Sequence, residues 1–273
     1  MSLIEQLPAQ WTTEALLKTP GRINMINEGV VTLVGIKRLE SEALFVSSEG
    51  GGTLRETAMV DFAGQERYWW LARKVAGVLR RVLLSELQPP DCTVDSPCIN
   101  CPVCGLLGGL NTDSNTALFS RLKLQDLISA ESYTYDEKFR IRQPDDPNSG
   151  NPVPFQEVIV PPGTSFPFIV RLIKPSQYDL GAFLYANAVA DGLGYGNYSK
   201  LRGNATTRWL AIFDGFAHIS AYDILESDLS FMESMKSVIQ SPMGPIDENN
   251  TLMEDALSKY VRTVTRSKEN WIL

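Results

Sequence analysis

All four cysteines of the chain fall within thirteen residues, as Cys92-x5-Cys98-x2-Cys101-x2-Cys104 in DCTVDSPCINCPVCGLLGG. Thiolates so spaced suit a tetrahedral Zn²⁺, because a turn-rich C-x-x-C brings two sulfurs to within about 2.3 Å of one ion. Pro97 and Pro102 stiffen the turns, and Gly105, Gly108 and Gly109 free the exit. No histidine or acid stands beside them as an open catalytic ligand, so the site reads as a structural knot. The C-x-x-C-x-x-C run also admits an iron–sulfur cluster, and paired disulfides remain a third reading.

A second stretch, Gly194 to Leu210, carries Lys200, Arg202 and Arg208 with no acid. Its glycines (Gly194, Gly196, Gly203) give backbone freedom, while Tyr195 and Tyr198 offer rings for stacking. Those parts suit single-stranded nucleic acid, although an ordinary loop after a helix has the same composition. Arg67, Lys74 and Arg81 recur every seven residues beside Arg73 and Arg80. On a helix they make a basic stripe, either a solvated face or a nucleic-acid-facing one.

Other chemistries lack their parts. His218 is the one histidine, with no G-x-S-x-G elbow to serve. No G-x-x-x-x-G-K-[ST] occurs, and GLGYGN lacks the preceding strand of a dinucleotide fingerprint. Nucleotide hydrolysis and hydride transfer are not supported.

The elements that must hold these residues come from a chain of 273 residues, 44% hydrophobic and 21% charged, enough for a sizeable core. The length suits one domain with insertions. The net charge of −7 opposes phosphate binding when read globally. However, Tyr222 to Ala256 holds eight acids against Lys236, so the other 238 residues are neutral overall. No apolar run approaches the roughly 18 residues of a membrane helix. The first twenty residues lack the pattern of a signal peptide, and the expectation is a cytoplasmic protein.

Patterning predicts one or two strands in Glu28–Ser48, a loop at Glu49–Gly52, and a helix over Gln65–Leu87. After the cysteines come a strand in Ser120–Ser129 and a polar excursion or hairpin over Tyr133–Pro154. Two strands flank the turn Pro161–Thr164 as a hairpin within Gln156–Lys174. A helix over Tyr178–Ala190, a strand over Arg208–Ala221, and helical patterns at Glu226–Ile239 and Leu252–Thr265 complete the chain. The order βαββαβ predicts an α+β, ferredoxin-like (RRM-like) core with inserted modules.

Several segments together resemble one family. ESEALFVSSEGGG, CPVCGLLGG, SRLKLQDL, VPPGTSFPFIVRL and the glycine loop with Arg202-Gly203-Asn204 are similar, in that order, to the RAMP-superfamily crRNA-binding backbone subunits of Cascade-type CRISPR effector complexes. The likeness is nearest to the type I-D subunits and runs from about Glu28 to Leu225. It implies a single RAMP-type domain with a palm, a zinc module at 88–112 and a hairpin thumb at 131–154; the N-terminal arm and the acidic helical region at 222–273 carry no motif of the family. It also implies copies stacked in a filament with other CRISPR effector subunits, gripping crRNA and presenting its spacer to target DNA or RNA.

RNA contacts are then expected at Ser47, Ser48, Gly50 and Gly51, at Tyr195, Lys200, Arg202 and Arg208, and at Arg67 and Lys74 of the basic helix. No catalytic residue and no enzyme activity are expected. Type III relatives cut target RNA with a backbone aspartate, a role that would fall to Asp61 or Asp113. A zinc-stabilised protein-binding scaffold is the remaining alternative.

Overall fold

The computed structural model describes residues 6–11, 29–46, 54–62, 64–142, 153–195, 202–227 and 229–239. Ser47, Ser48, Gly50, Gly51, Tyr198, Lys200, residues 143–152 and the Leu252–Thr265 pattern lie outside them. In chain order the elements are β1 (Val30–Leu39), β2 (Leu54–Glu56), β3 (Met59–Phe62), β4 (Gln65–Trp70), α1 (Ala72–Leu87), α2 (Pro102–Leu107), β5 (Gly109–Asn111) and β6 (Thr116–Leu118). Then follow β7 (Leu122–Leu124), β8 (Leu127–Ser132), β9 (Glu137–Arg142), β10 (Val153–Val158), β11 (Ser165–Ile173), α3 (Gln177–Leu193), β12 (Ala205–Asp214), α4 (Ala221–Leu225) and α5 (Phe231–Ile239).

The central sheet has the order β12-β1-β11-β7, with every neighbouring pair antiparallel. With α1 and α3 as crossovers, this is the arrangement of a βαββαβ ferredoxin-like core, as the order of elements predicts. β1 is mostly apolar and, apart from Arg38, buried on both faces. One face carries Leu33, Phe166, Phe168, Val170 and Ile212 into the main core with Val75, Leu79, Val82 and Leu83 of α1. α3 is buried almost all round and starts in a capping box between Ser176 and Asp179. A bulge at Val34/Gly35 admits only glycine, since a Cβ there would stand 2.8 Å from the Arg208 carbonyl.

The opposite face, Val34, Ile36, Ile169, Ala211 and Phe213, is covered by Ala217, Ile219, Ile224 and Met235. The first described part of the acidic C-terminal region therefore forms a layer of the core. The fold is the expected ferredoxin-like one, and in it both faces of the central sheet are largely covered.

Three local expectations also change. The helix begins at Ala72, because Gln65–Trp70 pairs as a strand between β3 and β8. Tyr68 and Trp70 alternate into the core, and their bulk on a pleated surface overrides the helical period. The strands around Pro161–Thr164 are not a hairpin: β10 pairs with β9 and β2, whereas β11 joins the central sheet. β12 begins at Ala205 and ends at Asp214, leaving His218 outside it against the ring of Phe216.

α1 has no side-chain cap at its own N-cap, Leu71. Asp126 supplies one from the β7–β8 connection, accepting from the Ala72 amide at 2.7 Å and from Trp69 Nε1 at 2.9 Å. Asp126→Ala is expected to cost about 1 kcal/mol in urea unfolding.

Candidate nucleic-acid and metal sites

The four cysteine sulfurs lie within 4.8 Å of one another. Cys92 Sγ is 3.6 Å from the sulfurs of both Cys101 and Cys104. Four sulfurs at about 2.3 Å from a central ion would be separated by about 3.8 Å, so the cluster fits a tetrahedral metal of the Zn²⁺ class. Local folding makes it so: Cys101 is the N-cap of the six-residue α2, and its sulfur accepts from the Cys104 amide at 3.5 Å. The Cys98 amide donates to Cys92 Sγ. The hydrogen bond from Cys101 draws the Cys104 thiol down to about 5, and the same contact pushes Cys101 up. Three of the sulfurs are buried, and the ring of ligands is closed, as a structural rather than a catalytic centre requires.

Two arginines lock this module to the core. Arg80 of α1 donates to the carbonyls of Leu107 and Gly108. Arg121 donates to the carbonyls of Gly105 and Lys174 and grips both oxygens of Asp179 at 2.5 and 2.8 Å. Gly108 has φ +71, and a Cβ there would stand 2.5 Å from the Ser120 amide. The CGLLGG motif thus packs against the chain just before β7 and leads into the two-stranded β5–β6 sheet.

The described residues that flank the serine–glycine segment and the glycine loop meet at one end of that sheet. β1 ends at Leu39 opposite the start of β12 at Ala205. Phe45, which precedes the serine–glycine segment, stacks on Trp70 at 4.4 Å. Lys74 is exposed in the first turn of α1, which follows Trp70. The base of the glycine loop is closed by Tyr195 N to Gly203 O and Gly203 N to Glu42 O. Gly194, at φ +90, lies so close to Arg202 that a Cβ would stand 2.3 Å from its carbonyl oxygen.

Within this end, the expected residues have different duties. Arg208 is exposed on β12. Arg202 instead bridges Glu42 at 2.8 Å and the buried Glu157 at 2.9 Å, tying the loop to β10. Tyr195 is buried edge-on against Trp70, so its ring is not free to stack on a base. Arg67 belongs to β4, not to a helical stripe; it is buried and donates to the carbonyls of Ser129 and Ala130.

Arg38 was not legible as a site residue. It is exposed on the same sheet face as Arg208, which sits diagonally across the β1–β12 ladder, since Ile36 faces Arg208 and Arg38 faces Thr206. Among the described residues no carboxylate pairs with either arginine. The strand alternation of IKRL gives the one sequence signal, because Lys37 and Arg38 must point to opposite faces.

Lys37 points into the core and is wholly buried. Its Nζ donates to Asp191, to Asn187 Oδ1 and Thr207 Oγ1 at 2.8 Å, and to Tyr195 Oη at 3.1 Å. The ring of Phe168 stands 4.7 Å away. Burial lowers the Lys37 pKa, opposed by Asp191, and burial raises that of Tyr195. This network pins the end of α3 where the glycine loop departs. Sequence gave no hint of it, since the partners are separated by 150 residues or more from Lys37.

Asp61 lies on β3 and Asp113 in the β5–β6 turn, on separate sheets. Among the described residues the four cysteines are the one group of three or more ligating side chains close enough to share an ion. No described helix is long and apolar enough to cross a membrane.

No protein-family model matches the sequence, and no curated protein matches it. Among solved structures, the chain is similar to Csc2 of Thermofilum pendens at 16% identity and a TM-score of 0.54, over 94% of this chain and 93% of that one. A second match is to the Csm3-Csm4 subcomplex in the type III-A CRISPR-Cas interference complex, at 18% identity, a TM-score of 0.40 and coverage of 67% and 77%. The likeness to Csc2 is one of fold and extends over nearly the whole length of both chains.

Proposed function

We propose that this chain is a non-catalytic crRNA-binding backbone subunit of a CRISPR effector complex, of the RAMP type and nearest to type I-D. Copies stack along the guide and present its spacer to target DNA, with the hairpin of β9 and β10 as the thumb and Zn²⁺ on Cys92, Cys98, Cys101 and Cys104. The observation that carries this reading is the pair of exposed arginines, Arg38 and Arg208, at the end of the sheet where β1 meets β12 and the base of the glycine loop is closed. The full-length likeness in fold to Csc2 supports it.

A guide must accept any spacer, so the grip is on phosphate. Lys200, Arg208, Lys74, Arg38 and the amides of Ser47, Ser48, Gly50 and Gly51 are its candidates, whereas Arg202, Tyr195 and Arg67 hold the scaffold. Single-stranded RNAs of unrelated sequence are expected to bind with similar affinity and strong salt dependence. Replacing Arg38 and Arg208 by glutamine should lessen the log–log salt slope by about 1.4, at about 0.7 per phosphate contact. An unchanged slope, or affinity that follows sequence, would overturn the assignment. Assembled complex given complementary RNA and Mg²⁺ should leave it intact; evenly spaced cuts lost in Asp61→Ala or Asp113→Ala would favour the cleaving alternative.

A further inference from the structure

The four sulfurs of the cysteine module are not equivalent. Cys104 is wholly buried, Cys101 and Cys92 are 7% and 9% exposed, and only Cys98 of the four is half-buried. The chain around Cys98 faces solvent, with Thr93 to Ser96, Asn100 and Pro102 all exposed. Two of the buried sulfurs are also quietened by backbone amides, Cys92 by that of Cys98 and Cys101 by that of Cys104. A reagent arriving from water therefore meets Cys98 first.

The backbone beside Cys98 is strained. Ile99 holds φ +66, where a β-branched residue is an outlier. Packing helps to keep it there: Ile99 is buried, and a Cβ on Gly109 would stand 3.1 Å from Ile99 Cδ1 and 2.8 Å from Pro97 Cβ. The other restraint is the pull of Cys98 and Cys101 toward one centre. Strain of this kind persists only while the surroundings over-determine it. Detaching Cys98 removes one restraint, so the module gives way at this point and does not readily close again.

We propose that Cys98 is a site of reversible oxidation by hydrogen peroxide, through which the cysteine module is opened. The Cys98 thiolate attacks the O–O bond, which forms S–OH and releases hydroxide. A neighbouring cysteine thiolate then displaces a second hydroxide from that sulfur and closes a disulfide. Two thiolates give up two electrons, one peroxide is reduced, and two of the four metal ligands are lost. A reducing thiol restores both. Loss of metal rests on the zinc reading above; the order of reactivity among the thiols does not. Opening would also uncover Val103 and Leu106, now buried in the core.

The test treats the full chain, as purified, with limiting hydrogen peroxide. Zinc is read with a chromogenic chelator and the sulfurs by mass spectrometry after cleavage before aspartate. Cuts at Asp91, Asp95 and Asp113 part Cys92 from the other three, so a disulfide to Cys92 joins two peptides and any other stays within one. Every disulfide formed should include Cys98, zinc should appear one for one with disulfide, and a reducing thiol with added zinc should reverse both. Limiting N-ethylmaleimide should label Cys98 about tenfold faster than any other cysteine. Cys98→His keeps a fourth ligand that zinc accepts but cannot form a disulfide there. It should release zinc about tenfold more slowly under the same peroxide. Disulfides without Cys98, even labelling of the four, or release from Cys98→His at the wild-type rate each overturn the proposal. Where Cys98→His fails to hold zinc, the labelling order and disulfides of the wild type decide alone. A chain that purifies without zinc defeats the zinc reading, while preferential labelling at Cys98 upholds the order of reactivity and even labelling overturns it.

Discussion

Replacing Cys101 by serine is expected to abolish stoichiometric metal binding and to unfold the segment between Cys92 and Gly108. Wild-type protein purified without chelator should carry one Zn²⁺ per chain by elemental analysis; iron, or no metal, would overturn the zinc assignment. A structural site contributes roughly 10 kcal/mol or more of binding free energy that is coupled to folding. Loss of even a third of that would lower the melting temperature by roughly 7–13 °C. The damage should spread to the core, because Cys104, Val103 and Leu106 are buried in the same cluster as Trp70 and Phe183. Arg80 and Arg121 would also lose the ordered carbonyls that now accept from them. RNA retention at temperatures where the sheet stays folded should change little, since the cysteines contribute to folding rather than to the basic end.

The second large effect is expected at Asp191. Asp191→Ala leaves Lys37 buried with no counter-charge, and breaking a buried pair on one side costs about 3–5 kcal/mol. The cost is not discounted for solvent, because the Lys37 and Asp191 side chains are only 0% and 10% exposed. The double replacement Lys37→Met with Asp191→Leu removes both charges and should recover most of the loss in chemical denaturation. If the double variant is as unstable as the single, the hydrogen bonds to Asn187, Thr207 and Tyr195 outweigh the ion pair. Thr207 Oγ1 also donates to Asp191 at 2.6 Å, so the network joins α3 to both β1 and β12. Loosening it should free the base of the glycine loop and weaken RNA retention even in protein that remains folded.

The elements around the core were legible because their patterns are strong. β1 is rich in branched apolar residues, α3 has a capping signal at Ser176, and the crossover order allows one sheet arrangement with antiparallel neighbours. Gln65–Trp70 was not legible as a strand, because six residues before a long helix satisfy either period and only pairing with β3 and β8 decides. The turn at Pro161–Thr164 was read correctly as a turn, but a proline–glycine turn fixes a reversal and not the partner of the strand it releases. β10 therefore went to another sheet.

For the candidate sites, sequence alone determined that the four cysteine sulfurs lie together, since a local spacing of two and five residues brings them close in any compact fold. It also determined the concentration of acid near the C-terminus and the absence of the usual nucleotide-binding motifs. Tertiary structure decided the rest, because the charge state and duty of a long basic side chain depend on what lies within a few ångströms. Arg67, Arg202 and Arg208 look alike in the sequence; one donates to buried carbonyls, one bridges two glutamates, and one stands on an exposed strand face. Lys37 and Arg38 are adjacent, yet the pleat sends the first into the aromatic core and the second toward solvent.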